Sequence, residues 1–250
     1  FTEKKEILGA LCDMIDITTE KLNERKVQRA EHFAALGELS VAVAHEIRNP
    51  LTSIQGFLQL LITKETSPQN KEYIQIMLTE LRRANKIISE FLQYTRPQKL
   101  NLKRAPVAPI IEEVAKIIEA ELTLKQIDFV FEAEPAPEFE IDGDQFKQVL
   151  LNLFQNALQA MEPGGKLTVR LTYDKEMKIL QISIEDTGHG IPEDLLENIF
   201  TPFFTTKDSG TGLGLSICNR IIQNHGGKIE AHSQLGKGSK FIITLPWSNP

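Results

Sequence analysis

Apolar residues recur at helical spacing through the first part of the chain and then change texture. Leu36, Leu39, Val43, Ile47, Leu51, Ile54, Leu58 and Leu61 form one stripe. Tyr73, Met77, Leu81, Ala84, Ile88, Phe91 and Leu92 form a second. Spacings of three and four residues predict two long helices, each with one buried face. Between them, Lys64 to Asn70 is a polar loop with Pro68 at a helix start. The pattern is that of an antiparallel helical hairpin. One hairpin has too little partner surface to bury both stripes, so a homodimer forming a four-helix bundle is expected.

Beyond Arg96-Pro97 the pattern predicts a helix over about 108–122, a strand over 127–131 and a helix over 144–161. Alternating runs at 166–173 and 178–185 predict two strands joined by the turn Asp174-Lys175-Glu176. A last helix over 213–225 stops at Gly226-Gly227, and two closing strands follow at 228–233 and 239–245. The fold class is therefore α+β and multidomain. It has a hairpin domain over 31–96, a hinge at 97–106 and an α/β sandwich over 107–250. Residues 1–30 are a linker or the end of a preceding domain. Leu8, Leu11, Ile15 and Leu22 fit a helical seam, while Leu11 to Ile17 also fits a strand followed by a cap at Thr18.

Composition narrows the function classes. The 250 residues suffice for two ordinary domains. The formal net charge of −6 (28 basic, 34 acidic) argues against a nucleic-acid partner, which needs a basic footprint. Cys12 and Cys218 lie far apart without metal-ligand spacing and read as buried, reduced thiols. No uninterrupted apolar run is long enough to cross a bilayer. The chain opens at Phe1 without Met and reads as an excised portion, so any membrane or sensor part is expected outside it.

Two groups of residues carry chemistry. The first is His45-Glu46-Ile47-Arg48-Asn49-Pro50-Leu51, inside the first helix. His45 falls at the edge of the apolar stripe, where its ring can meet solvent. An imidazole with a pKa of about 6.5 is largely a neutral nucleophile near pH 7. Glu46 can fix its tautomer by hydrogen-bonding one ring nitrogen. Asn49, one turn on, can orient a water or a phosphoryl oxygen. Pro50 removes a helical hydrogen bond and is expected to bend the helix.

The second group is spread over the α/β part. Asn152 and Asn156 share one helical face, and a neutral carbonyl oxygen can hold Mg²⁺ beside a triphosphate. Asp186-Thr187-Gly188-His189-Gly190 follows a strand and places a carboxylate where it can accept an adenine amino hydrogen. Phe200 to Lys207 is a loop with an aromatic anchor, and Lys207 can reach a terminal phosphate. Gly210-Thr211-Gly212-Leu213-Gly214-Leu215 opens the last helix, a ready anion site. Gly236-Lys237-Gly238-Ser239 completes the set. Each motif alone is ordinary turn or cap chemistry, and their order is what carries information.

In that order they resemble the N, G1, F and G2 boxes of the sensor histidine kinases, and the septapeptide at His45 resembles that family's H-box. The resemblance covers roughly residues 30 to 247. It implies a dimeric phosphotransfer bundle followed by a Bergerat-type ATP-binding domain, a fold shared with type II topoisomerases, heat-shock chaperones and mismatch-repair ATPases. It implies a protein histidine kinase that uses ATP and Mg²⁺. His45 would be the phosphoacceptor, Glu46 the general base and Asn156 the metal ligand. Asp186 would read the adenine, while Gly188, Gly190, Gly210, Gly212, Leu213, Gly214 and Ser239 would line the nucleotide. Gln159 stands where many members carry Lys, which raises the weight on Lys207. Ser239 replaces the usual Thr. The Pro-Phe-Phe-Thr-Thr-Lys run is most similar to the nitrogen-regulation and Bacillus sporulation kinases. Asp16-Ile17-Thr18 resembles the segment that closes many PAS sensor domains.

The implied partner is the receiver domain of a response regulator, which takes the phosphoryl group onto an aspartate. The resemblance also allows a protein inhibitor on the bundle and places this portion in the cytoplasm, with membrane attachment only through parts outside the chain. Three rival readings stay open at this point: a phosphatase acting on the regulator with Asn49 orienting water, a dimeric scaffold that only senses ATP, and a chaperone- or topoisomerase-type ATPase.

Overall fold

A computed structural model of the chain describes residues 46–95, 99–207 and 210–247. His45, Cys12 and the Asp16-Ile17-Thr18 segment lie outside the described residues. The hairpin consists of α1, described over 46–64, and α2, Pro68–Thr95. Pro50 sits inside a continuous helical run. The turn is shorter than expected because Pro68, whose fixed φ suits a first helical turn, starts α2 directly. The Glu65 carboxylate accepts the backbone N–H groups of Ser67 and Thr66 and the Asn70 amide. Arg48 Nη2 donates across the hairpin to Ser89 Oγ at 3.2 Å. Of the described apolar residues on the hairpin, Leu58 and Ile74 are buried, whereas Phe57 is 67% exposed and Leu60 60%.

The rest forms an α/β sandwich. Its strands and helices are β1 (Lys103–Ala105), α3 (Val107–Leu124), β2 (Asp128–Ala133), β3 (Phe139–Ile141), α4 (Gly143–Ala160), β4 (Lys166–Asp174), β5 (Ile179–Asp186), α5 (Glu193–Leu196), α6 (Gly214–Asn224), β6 (Lys228–Gln234) and β7 (Gly238–Pro246). Five strands make one sheet in the order β2-β4-β5-β7-β6, with β2–β4 parallel and the other pairs antiparallel. Alternation decides the faces. Leu167, Val169, Leu171, Leu180, Ile182, Ile184, Phe241, Ile243 and Leu245 turn inward against α3, α4 and α6. On the outer face, Glu132, Arg170, Glu185 and Lys240 form ion pairs across four strands. Exposed pairs of this kind add little stability, and here they mark the wetted side.

Three short elements had no sequence signal: β1, β3 and α5. The first two pair antiparallel in a small second sheet, Lys103 opposite Ile141. The later half of the 97–106 segment is thereby tied to the α/β domain. Asp142, directly after β3, strengthens this tie. Its carboxylate caps α4 through Gln145 N–H, accepts the Gln145 side-chain amide, and accepts Asn101 N–H at 3.0 Å. Burial works to raise this carboxyl, but the Asn101 and Gln145 hydrogen bonds outweigh it and hold the group below the usual carboxylate range. Cys218 is fully buried, and burial pushes its thiol up to about 12, as befits an inert core residue. Among the described residues, no helix is long and apolar enough to cross a membrane.

Replacing the cap tests this arrangement. Asp142→Ala should cost about 1–2 kcal/mol in urea unfolding, while Asp142→Asn, which keeps a capping oxygen, should cost less than half as much.

Candidate functional site

The site lies where β5 ends, between α4 and the start of α6. Asp186, the last residue of β5, is 4% exposed. Its Oδ1 accepts the backbone N–H groups of Gly188 at 2.9 Å and Ser239 at 3.2 Å. Among the described residues no hydrogen bond falls on Oδ2, which stays able to accept one. Burial pushes the Asp186 carboxyl above the usual range, against the pull of those two amides. Tight packing of backbone surrounds it. A Cβ at Gly238, where φ is +106°, would stand 1.9 Å from the Asp186 carbonyl oxygen. A Cβ at Gly188 would stand 2.5 Å from the Ala160 carbonyl oxygen, and one at Gly190 2.2 Å from that of Gln234. Ser239 supplies its N–H to Asp186, while its hydroxyl is turned to Ser233 Oγ at 3.0 Å.

On α4, Asn152 and Asn156 do share a face, but they serve different neighbours. Asn152 Nδ2 points to the Gly214 carbonyl at 3.5 Å and so braces the start of α6. Asn156 Oδ1 accepts from Lys207 Nζ at 3.2 Å, and Gln159 Oε1 accepts from the same ammonium at 2.7 Å. A cation therefore already sits at the Asn156 carbonyl oxygen, and an oxygen donor of this kind fits Mg²⁺. Burial first, then the Lys86 charge, hold the Lys207 ammonium below the usual lysine range.

The loop before α6 closes the other side. Leu213 is fully buried and occupies the N-cap position of α6, and no side chain caps that helix. Its first N–H groups and the positive end of its dipole are thus left for an anion. Gly212 takes φ +70° in this loop. A Cβ there would lie 2.3 Å from the Phe203 carbonyl carbon, and Phe203 N–H donates to Gly212 O at 3.0 Å. Gly210 packs on Thr205 Oγ1, and Gly214 faces Asn152. Phe200 and Phe204 anchor the preceding loop in the core, as expected. Phe203 instead turns outward, at φ +66°, to meet Phe91 of α2 with ring centroids 6.5 Å apart. Thr211 Oγ1 donates to Glu90 of α2, and Arg220 donates to the Gln93 carbonyl.

Glu46 and Asn49 are exposed on α1. Among the described residues, no hydrogen bond or ion pair joins either to the α4–α6 site. Sequence reasoning missed the contacts of Glu90, Phe91 and Asp142, having read Phe91 only as part of the apolar stripe of α2. The first two carry no local signal, since their partners lie more than a hundred positions away. Asp142 had one, because an Asp followed three residues later by Gln is a capping-box pattern.

Residues 35–100 match the family described as "His Kinase A (phospho-acceptor) domain". Residues 141–249 match "Histidine kinase-, DNA gyrase B-, and HSP90-like ATPase". The structure is similar to histidine kinase ThkA, solved in complex with response regulator protein TrrA, with a TM-score of 0.67 and 37% identity. That match covers 94% of this chain and 68% of that one. The chain belongs to the histidine kinase family. The chain is also 39% identical over 242 residues to the signal transduction histidine-protein kinase AtoS of Escherichia coli. It is 36% identical over 251 residues to sporulation kinase C of Bacillus subtilis. Both alignments cover 96% of the chain, which spans 40% of AtoS and 58% of sporulation kinase C. The fold is that of ShkA in complex with AMPPNP as well, with a TM-score of 0.74 at 23% identity over 86% of the kinase and 46% of ShkA.

A group whose folded pKa is raised contributes stability below its unfolded value and loses it as pH rises through the folded value. The ionised Asp186 is then a cost at neutral pH. Without nucleotide, Asp186→Asn should raise the midpoint of thermal unfolding by about 2–4 °C, on the order of 1 kcal/mol. Differential scanning calorimetry at pH 7 checks this, and a fall in the midpoint contradicts it.

Proposed function

We propose that this chain transfers the γ-phosphoryl group of ATP to His45 and passes it on to an aspartate of a response-regulator receiver domain. The observation that carries the reading is the Asp186 carboxylate. It is buried at a strand end, with Oδ1 saturated by two backbone amides and Oδ2 left for the amino group of adenine. The glycines around it permit the close approach a purine needs. The uncapped start of α6 suits the phosphates. Asn156 would hold Mg²⁺, which when bound neutralises charge on the β- and γ-phosphate oxygens.

In the transfer, a lone pair on one ring nitrogen of His45 attacks the γ-phosphorus. A nitrogen–phosphorus bond forms as the bond to the β–γ bridging oxygen breaks, and ADP leaves. Glu46 holds the proton of the other ring nitrogen and takes it as charge develops. Catalysis is then mainly positioning. Asp142 and β1 tie the linker to the α/β domain, so the swing that brings ATP to His45 falls on residues before Asn101. The exposed apolar residues of α1 and α2, Phe57, Leu60 and Ile76 among them, are proposed to pair with a second copy as the four-helix bundle. The kinase–regulator complex of ThkA supports a receiver domain as the partner.

Incubation with MgATP labelled at the γ-phosphate should give an acid-labile, base-stable label on the chain, the signature of phosphohistidine. His45→Gln should bind ATP normally and take no label, and label persisting in that variant would sink the assignment. Asp186→Asn should weaken nucleotide binding about 10- to 100-fold, as expected for a lost hydrogen bond to a charged group.

A further inference from the structure

Lys207 is held in place from both ends. Its backbone N–H donates to Thr205 Oγ1 at 3.1 Å, and its carbonyl accepts Gly210 N–H at 3.1 Å. Its ammonium reaches α4 and donates to Asn156 Oδ1 and Gln159 Oε1, at 3.2 and 2.7 Å. Among the described residues no carboxylate forms an ion pair with it. A second cation, Lys86, acts on it from α2 and is itself paired with Glu90 at 3.7 Å, while the Asp186 carboxylate attracts the Lys207 ammonium without forming an ion pair. A lysine normally seeks a carboxylate. Here a charge is held by two neutral amide oxygens three residues apart on one helix, which is a donor set a small hard cation would use.

We infer that Lys207 is a placeholder for the metal ion, seated by Gln159 at the Asn156 carbonyl until metal and nucleotide displace it. The inference rests on the nucleotide site proposed above. Gln159 is then a positioning residue: its oxygen draws the ammonium onto α4, whereas a lysine there would repel it. Seating the lysine keeps the Asn156 oxygen hydrogen-bonded in the nucleotide-free protein. It also sets a threshold, because metal must compete with a tethered cation. Once displaced, the same ammonium is free for the terminal phosphate of ATP.

ADP separates these roles, since it lacks the phosphate that the freed lysine would contact. ADP binding to the 250-residue chain is measured by calorimetry over a series of Mg²⁺ concentrations. Gln159→Ala should lower the Mg²⁺ concentration for half-maximal ADP binding by about 3- to 10-fold, the scale of one lost hydrogen bond. Lys207→Met should lower it at least as far, and Asn156→Ala should remove the Mg²⁺ dependence. In the nucleotide-free protein, the Asn156 side-chain amide signal should shift in Lys207→Met. Unchanged midpoints in both Gln159→Ala and Lys207→Met, with ADP still bound and still dependent on Asn156, overturn the placeholder and leave the nucleotide site standing. Failure of the unsubstituted chain to bind ADP at any Mg²⁺ concentration overturns both.

Discussion

The carboxylate of Asp186 is carried inside the domain at the end of β5, and much of the surrounding backbone is shaped by keeping it there. A buried carboxylate without hydrogen bonds is too costly to retain. Two amides meet that need on one oxygen, those of Gly188 and Ser239. They reach it only because the backbone of β7 begins against the backbone of β5, at a spacing that leaves no room for a Cβ on Gly238. One polar group thus bears on where β7 starts, how the loop after β5 turns, and why Gly238 carries no side chain.

A second set of contacts joins this site to the helical hairpin. The loop that carries Lys207 and Gly212 lies against the last turns of α2 through the Phe91–Phe203 ring contact and the Thr211–Glu90 hydrogen bond. Phe203 adopts a left-handed backbone that a bulky residue rarely takes, so the contact with α2 is made at some conformational cost. Glu90 is bound on one side to Thr211 and on the other to Lys86, whose charge acts on Lys207. A rotation of α2 therefore alters the electrostatic surroundings of the α4 site as well as its walls.

The long elements were legible in the sequence because each repeats its signal. The α4 stripe Phe146, Val149, Leu150, Leu153, Phe154, Ala157 has a helical period, and Leu180, Ile182, Ile184 alternate. The placement of Asp186 and the glycines was legible because they are contiguous and follow a strand. β1 and β3 were not, since three residues cannot display an alternation. The division of labour between Asn152 and Asn156 was also hidden. Helical spacing puts both amides on one face, but it cannot say that Gly214 stands before one and Lys207 before the other. Nor does the sequence say that Ser239, placed among the nucleotide-lining residues by the family resemblance, reaches Asp186 through its backbone N–H.

The parallel pairing of β2 with β4 has a kinetic side. Parallel neighbours cannot be joined by a tight turn, and here the connection runs through β3 and the whole of α4. Closing that long loop costs chain entropy before any contact between the two strands rewards it. The helix that carries Asn156 and Gln159 lies within that loop. The two acceptors, on α4, and the Asp186 carboxylate, at the end of β5, come together only in the folded α/β domain. A ligand held by both elements would stabilise that domain by an amount that grows with the logarithm of its concentration over its dissociation constant.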